Sequence, residues 1–179
     1  MSIVETGAAS APSTQAVASL TWADEQATQA FALALAGQSA LRDAFITLHG
    51  DLGAGKTTLA RHLLQALGVE GRIKSPTYTI VETYELPELA ISHFDFYRFN
   101  DPQEWEDAGF RDIFASPGLK LVEWPQKAAG LLPLPDMDVL IQAEGESLRR
   151  VSLKAFTSRG KSLVQALAPA PAVTPESAA

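Results

Sequence analysis

The glycine-rich stretch at residues 50–57 constrains the fold more than any other part of this chain. It reads Gly-Asp-Leu-Gly-Ala-Gly-Lys-Thr and matches the pattern G-x-x-x-x-G-K-[ST] at every fixed position. The apolar run at residues 44–48 predicts a β-strand leading into it, and residues 58–67 predict a helix leading out of it. Because such a loop turns backbone N–H groups inward at the positive end of a helix, it predicts a site for the phosphates of a nucleoside triphosphate.

Two side chains of this loop have predicted roles in phosphate chemistry. Lys56 is expected to reach the β- and γ-phosphates, and the Thr57 hydroxyl is expected to take one coordination position on Mg²⁺. The simpler alternative is a glycine-rich turn before a helix, with an exposed lysine. The flanking strand and helix favour the phosphate site.

The composition is that of a globular protein of one domain. The chain has 179 residues, of which 46% are hydrophobic and 20% charged, so it can bury a sizeable core. It has no apolar run as long as the ~18 residues of a membrane span, no secretory signal pattern and no cysteine. We therefore expect a cytoplasmic protein. The net charge of −7 disfavours broad adhesion to nucleic acid, so any contact with RNA is expected to be local or carried by a partner.

Composition also sets the expected domain boundaries. Residues 1–17 are rich in Ala, Ser and Thr, and residues 168–179 in Pro and Ala, so we expect both to be disordered around a domain at 18–167. Asp24 and Ser158 are the expected N-terminal caps of the first and last helices. The other predicted elements are strands at 20–22, 79–84, 89–96, 119–124, 138–143 and 149–156, and helices at 24–36, 101–109 and 158–167.

The order of these elements predicts the fold class. Helices alternate with strands in the first half of the chain, and strands cluster in the second half. This order indicates an α/β protein in which helices cover both faces of a mixed, mostly parallel central sheet. Together with the glycine loop, it predicts the three-layer P-loop NTPase fold.

Two acidic residues end apolar runs and are candidates for the second protein contact that a nucleotide-bound magnesium needs. Asp95 lies in the strand predicted at 89–96, and Glu123 lies near the end of the strand predicted at 119–124. In a parallel sheet both would lie at the carboxyl edge, where ligands bind. The alternative for each is a strand-end carboxylate that is solvated or paired with a nearby arginine.

Three further features have both a functional and a structural interpretation. The hydroxyl-rich segment at residues 75–79, which includes Thr77, is expected to sense the γ-phosphate or its water, unless it is only a proline-initiated turn. His93 alternates with Asp95 and so shares its face of the sheet, but a lone histidine in a strand is more often a packed core residue. Trp124 is either a reporter of the nucleotide site or a buried tryptophan.

Several segments together resemble the TsaE (YjeE) family of ATPases of bacterial tRNA threonylcarbamoyladenosine biosynthesis. They follow one another in the family's order over roughly residues 20–156. The loop alone is shared by many NTPases, whereas the segments Ser-Pro-Thr-Tyr, His-Phe-Asp-x-Tyr-Arg and Val-Glu-Trp-Pro are much more specific. The resembling segments are residues 24–28, 50–58, 74–79, 93–98, 101–102, 109–112 and 121–125.

The resemblance implies a small ATPase that assists partner enzymes. In this family the proteins TsaD and TsaB transfer a threonylcarbamoyl group to adenosine 37 of tRNAs that read ANN codons. The ATPase binds at their interface, and its nucleotide cycle supports repeated turnover. The resemblance thus implies ATP and Mg²⁺ as cofactors, TsaD and TsaB as partners, and contact with tRNA through the complex. From the residues alone, a small-molecule kinase and a nucleotide-gated adaptor without hydrolysis also stay open.

The resemblance also implies roles for individual residues. Thr57 and Glu123 would ligate Mg²⁺, with Asp95 close to the metal or to the attacking water. One of the adjacent residues Arg149 and Arg150 would approach the nucleotide. The residues implied to hold ATP are Glu25, near the adenine or ribose, and Gly53, Ala54, Gly55, Lys56, Thr57 and Thr58, around the phosphates; those implied in catalysis are Lys56, Thr77 and Asp95.

Overall fold

The structure, a computed structural model, describes residues 15–76 and 78–169. In this part of the chain, one seven-stranded sheet carries α-helices on both of its faces. The strands are β1 (Val17–Trp22), β2 (Phe45–His49), β3 (Val81–Leu86), β4 (Leu89–Asp95), β5 (Leu119–Glu123), β6 (Met137–Glu144) and β7 (Leu148–Ala155). The helices are α1 (Glu25–Ala36), α2 (Lys56–Ala66), α3 (Pro102–Asp107), α4 (Phe110–Ala115) and α5 (Ser158–Leu167), with 3-10 turns at Ser39–Asp43 and Pro125–Ala128.

The sheet is parallel in its centre and antiparallel at its margins. Its strand order is β1-β7-β6-β2-β5-β4-β3. Strand β2 pairs in parallel with β5 and β6, and β4 pairs in parallel with β5. Strand β3 is antiparallel to β4, β7 to β6, and β1 to β7. This mixed sheet confirms the predicted fold class.

Alternation along the central strands divides the core into two layers. Ile46 and Leu48 of β2 belong to an aliphatic cluster that packs under α1, α2 and α5, whereas their neighbour Phe45 points to the opposite face. There an aromatic cluster packs against α3 and α4, so both faces of the sheet are covered and the architecture has three layers. The buried members of the aromatic cluster are Phe45, Phe94, Phe96, Phe99, Trp105, Phe110, Val122 and Ala128.

Side-chain capping explains where α1 and α5 begin. Asp24 caps α1 as predicted, because its side chain accepts a hydrogen bond of 2.9 Å from the Ala27 amide. The predicted cap Ser158 is wrong by one residue. Thr157 caps α5 instead, since its hydroxyl accepts a hydrogen bond of 3.1 Å from the Gly160 amide.

Most predicted boundaries differ from the structure by one or two residues, and some differences are larger. A second short helix, α4, follows α3 and was not predicted; Gly109 separates the two with a left-handed φ of 69°. Strand β3 begins at Val81 rather than at residue 79. Strand β1 begins at Val17, earlier than predicted, because it pairs with β7 along its whole length. Residues 1–14 and 170–179, which make up most of the two segments expected to be disordered, lie outside the described residues.

None of the helices in the described ranges has the length and apolar character that crossing a membrane requires.

We expect Gly160→Ala to destabilise the fold. A Cβ at Gly160 would lie 1.8 Å from the Asp136 carbonyl oxygen, so the backbone of α5 must move away from Asp136, which precedes β6. Overpacking of this kind costs about 2 kcal/mol in the free energy of unfolding, measured by chemical denaturation. Gly37→Ala is the control, because a Cβ at Gly37 would lie 3.5 Å from its nearest neighbour, which is an ordinary van der Waals contact. Equal stability of the two variants would contradict the close packing at Gly160.

Candidate phosphate-binding site

The glycine loop connects the end of β2 to the first residue of α2. Three of its glycines have positive φ: 148° at Gly50, 80° at Gly53 and 114° at Gly55. At Gly50 a Cβ would also lie 2.5 Å from the Ile141 carbonyl oxygen, so the position excludes any side chain. The loop thereby delivers its backbone amides to the N-terminus of α2, which begins at Lys56.

Lys56 is almost buried, with an exposed fraction of 4%. Its ammonium donates to the carbonyl oxygens of Gly50 and Asp51 and lies 4.2 Å from the ring centroid of Trp124. Trp124 reaches this place because it follows β5 in a left-handed conformation, with φ of 56°. Burial lowers the pKa of Lys56, and the carboxylates of Glu123, Asp95 and Asp51 oppose that shift.

Thr57 and Glu123 meet at the start of α2. The Thr57 hydroxyl donates to Glu123 Oε1 at 2.7 Å, and the Glu123 side chain is 1% exposed. Neighbouring oxygen ligands of an octahedral magnesium ion lie ~2.9 Å apart, so this pair has the chemistry and spacing of two such ligands. Within the described ranges, no three His, Cys, Asp or Glu side chains form a metal cluster. The Thr57 and Glu123 oxygens suit a magnesium ion, which is commonly bound through one or two protein oxygens together with phosphate and water.

Asp95 lies beside this pair at the same edge of the sheet. It pairs with Glu123 in the parallel register of β4 and β5, which brings the two predicted acids together. Its Oδ2 accepts a hydrogen bond of 2.9 Å from Ser75, and its Oδ1 accepts one of 2.9 Å from the Tyr97 amide. The predicted switch segment therefore contacts this acid through Ser75. Thr77 lies outside the described residues.

A cavity of about 340 Å³ opens between the loop and these acids. Two residues that line it, Tyr97 and Arg98, were not among the predicted site residues, although both stand in the segment at 93–98 that carries the family resemblance. The signal that could have identified them is their position, two and three residues after the strand-end acid Asp95. The lining residues include Lys56, Thr57, Ser75, Asp95, Glu123 and Trp124.

A second cavity, of about 240 Å³, lies on the other side of the loop, and both cavities are bordered by Gly55 and Thr58. It is lined by Glu25 at the start of α1, by the β6–β7 turn and by Arg149. Glu25 also contacts His62 of α2, with 2.9 Å between its Oε1 and the histidine Nε2. The predicted adenine-side residue Glu25 and the predicted phosphate-side residues thus border adjoining cavities.

The geometry separates the two candidate arginines. Arg149 Nε donates to the carbonyl oxygen of Ala54 inside the loop at 2.8 Å. Arg150 instead pairs with Glu144 at 2.8 Å and is exposed. Because neighbouring residues of a strand point to opposite faces, only Arg149 reaches the loop.

His93 lies beneath the site rather than in its cavity. Its side chain is 1% exposed, and its Nε2 lies 2.7 Å from Glu123 Oε2. The interpretation of His93 as a packed core residue fits its burial, but its partner is one of the two candidate metal ligands.

The fold and the loop define a protein of the P-loop NTPase class. The family model described as "Threonylcarbamoyl adenosine biosynthesis protein TsaE" matches residues 22–151. The chain belongs to this family.

Individual relatives agree with this assignment. The chain is 45% identical over 122 residues to the tRNA threonylcarbamoyladenosine biosynthesis protein TsaE of Haemophilus influenzae. The matched residues make up 68% of this chain and 76% of the relative. It is 36% identical over 122 residues to the protein of the same name from Bacillus subtilis, with the same shares. The crystal structure of Bacillus subtilis YdiB superposes with a TM-score of 0.68 at 28% identity, covering 87% of this chain and 96% of that one. The predicted family and fold class are confirmed.

We expect Arg149→Ala to loosen the glycine loop. The variant loses the side chain that holds the Ala54 carbonyl, so the amides of residues 53–55 should exchange with solvent faster, by roughly tenfold. Native-state hydrogen exchange measures this rate. Arg150→Ala is the matched control and should leave loop exchange unchanged. Equal effects of both substitutions would contradict the assignment of Arg149 to the loop.

Proposed function

We propose that this protein is a Mg²⁺-dependent ATPase. The observation that carries the proposal is the contact between Thr57 and Glu123 at the N-terminus of α2, next to a complete phosphate-binding loop. A glycine-rich turn without a ligand role needs neither a buried carboxylate nor a buried lysine at that position. Here Glu123 and Lys56 are both buried, although such side chains are rarely buried without a partner.

Each residue of the site would have a separate task. The loop amides hold the phosphates, and Lys56 turns from the Gly50 and Asp51 carbonyls towards the β- and γ-phosphates. Thr57 and Glu123 supply protein oxygens to Mg²⁺. When bound, Mg²⁺ would neutralise charge on the β- and γ-phosphate oxygens.

Asp95 would act on the side of the attacking water. Its carboxylate borders the same cavity as Lys56 and Thr57 and is held by Ser75 and the Tyr97 amide. In this position it either orients the water or adds a metal contact. The adjacent cavity at Glu25 would hold the adenine or ribose.

The cellular task that we propose is formation of the N6-threonylcarbamoyl group on adenosine 37 of tRNAs that read ANN codons. Family membership supports this task, since relatives from Haemophilus influenzae and Bacillus subtilis are named tRNA threonylcarbamoyladenosine biosynthesis proteins. The protein would act in the cytoplasm with TsaD and TsaB. The net charge of −7 is consistent with contact to tRNA through partners rather than through its own surface.

The site also suggests dependence on those partners. None of the described residues that line the phosphate-side cavity is a glutamine that would orient water. Arg98 lines this cavity, but its guanidinium lies over the Tyr78 ring, 5.7 Å from the centroid. A group supplied by a partner, or ordering of the switch segment by a partner, would complete the site. The isolated protein should therefore hydrolyse ATP slowly.

Substitution of the two candidate metal ligands tests the proposal. We expect Thr57→Ala and Glu123→Gln each to lower the rate of phosphate release by roughly 100-fold or more, because each would weaken the hold on the ion that neutralises charge in the transition state. Thr57→Ala removes one ligand oxygen, and Glu123→Gln replaces a charged carboxylate with a neutral amide. Thr83→Ala and Glu88→Gln are matched controls on exposed surface. Release of inorganic phosphate, rather than transfer to a metabolite, separates an ATPase from a kinase.

The adaptor alternative is tested by the same variants in a reconstituted reaction with TsaD, TsaB, tRNA, ATP and Mg²⁺. Repeated tRNA modification should require hydrolysis-competent protein, and ATP turnover should rise when the partners are added. Variants that cannot hydrolyse ATP but still sustain repeated modification would favour the adaptor. Equal turnover with and without partners would contradict the dependence on them.

A further inference from the structure

We propose that His93 is a positioning residue that orients the Glu123 carboxylate for Mg²⁺. The inference rests on the proposed Mg²⁺-dependent function and adds a residue that does not itself reach the cavity. Its basis is a buried hydrogen bond between two strands: His93 Nε2 lies 2.7 Å from Glu123 Oε2, and both side chains are 1% exposed.

The sheet register brings the two residues together. In the parallel pairing of β4 and β5, His93 lies opposite Leu121, and Asp95 lies opposite Glu123. His93 is therefore one step below Glu123 on the same face, on the side of the sheet that α2 covers. Thr57 approaches Glu123 from α2, and His93 approaches it from β4.

The two oxygens of Glu123 consequently have different partners. Oε1 accepts a hydrogen bond from the Thr57 hydroxyl, and Oε2 accepts one from His93. A carboxylate that binds Mg²⁺ is ionised and only accepts hydrogen bonds, so Nε2 is the donor in that state. With Oε2 held from below, Oε1 stays beside Thr57 and faces the loop.

The other ring nitrogen of His93 supports a dedicated role. His93 Nδ1 is buried and has no hydrogen-bond partner among the described residues. A buried polar atom without a partner is costly, so a residue needed only to fill this volume would be better as an aliphatic side chain. The polar contact that the imidazole does make is the one to Glu123. Mutation of such a partner of a metal ligand typically lowers metal affinity by about 10–100-fold.

Two substitutions separate the hydrogen bond from packing. His93→Leu fills most of the volume but has no donor, whereas the amide nitrogen of His93→Gln reaches roughly the place of Nε2. The control is His49→Gln. His49 lies in β2 and, like His93, has a carboxylate beside it, that of Asp138. For each purified full-length protein we would measure ATP affinity by calorimetry, first in EDTA and then over a Mg²⁺ titration.

We expect His93→Leu to raise the Mg²⁺ concentration for half-maximal tightening of ATP by 10–100-fold, while ATP affinity in EDTA changes by less than about threefold. His93→Gln and His49→Gln should stay within about threefold of the parent protein in both measurements. Thermal unfolding of His93→Leu should remain one cooperative transition, which shows that the fold is retained, with a lowered midpoint because a buried oxygen of Glu123 loses its donor.

Other results would overturn the inference. If His93→Leu keeps normal Mg²⁺ dependence, or if both His93 variants lose ATP affinity equally in EDTA, His93 has a packing role only. If the parent protein itself shows no Mg²⁺-dependent tightening of ATP, the proposed metal site fails and the inference fails with it. If the parent protein and the His93→Leu variant show the same Mg²⁺-dependent tightening of ATP, the inference about His93 is overturned while the proposed metal site stands.

Discussion

The parallel register of β2, β5 and β4 is the constraint on which the site depends. Leu48 of β2 and Asp95 of β4 both pair with Glu123 of β5, so the three strands end together. Strand β2 passes into the glycine loop at that edge, and the loop passes into α2. A slip of β5 by one residue would turn Glu123 into the aromatic layer and separate it from Thr57. The apolar cores on both faces of the sheet, which fix this register, therefore also fix the geometry of the site.

The hydrogen bonds of Glu123 carry a second constraint. A carboxylate that is 1% exposed must find donors within the protein, and here they come from two separate elements, α2 and β4. These bonds join the first turn of the loop helix to the central sheet. Removing a single donor leaves a buried acceptor without its partner, which costs more than an ordinary hydrogen bond contributes. The site is thus part of the structure that holds α2 on the sheet.

Local sequence signals made much of the fold and of the candidate site predictable. The glycine loop, the cap Asp24 and the two strand-end acids are each recognisable within a few residues, and the structure places Asp95 and Glu123 together. The choice between neighbouring arginines at 149–150 was not predictable, because it depends on the face that β7 presents to the loop. The contact of His93 with Glu123 joins residues 30 positions apart and requires the strand register. Helix α4 was not predictable because six residues are too few to show a helical repeat of apolar positions.

Under the proposed function, the charge balance of the site gives a reason for ATP and Mg²⁺ to bind together. Three carboxylates, those of Glu123, Asp95 and Asp51, act electrostatically on the ammonium of Lys56, while burial lowers the pKa of that group. A triphosphate alone would add several negative charges to a site where acids already outnumber this lysine. The loop amides and the N-terminus of α2 offset part of that charge, as does Arg149 at the loop. In the proposed function, a divalent cation beside Thr57 and Glu123 would offset the remainder where the acids are closest, so the affinities for nucleotide and for magnesium would be thermodynamically linked.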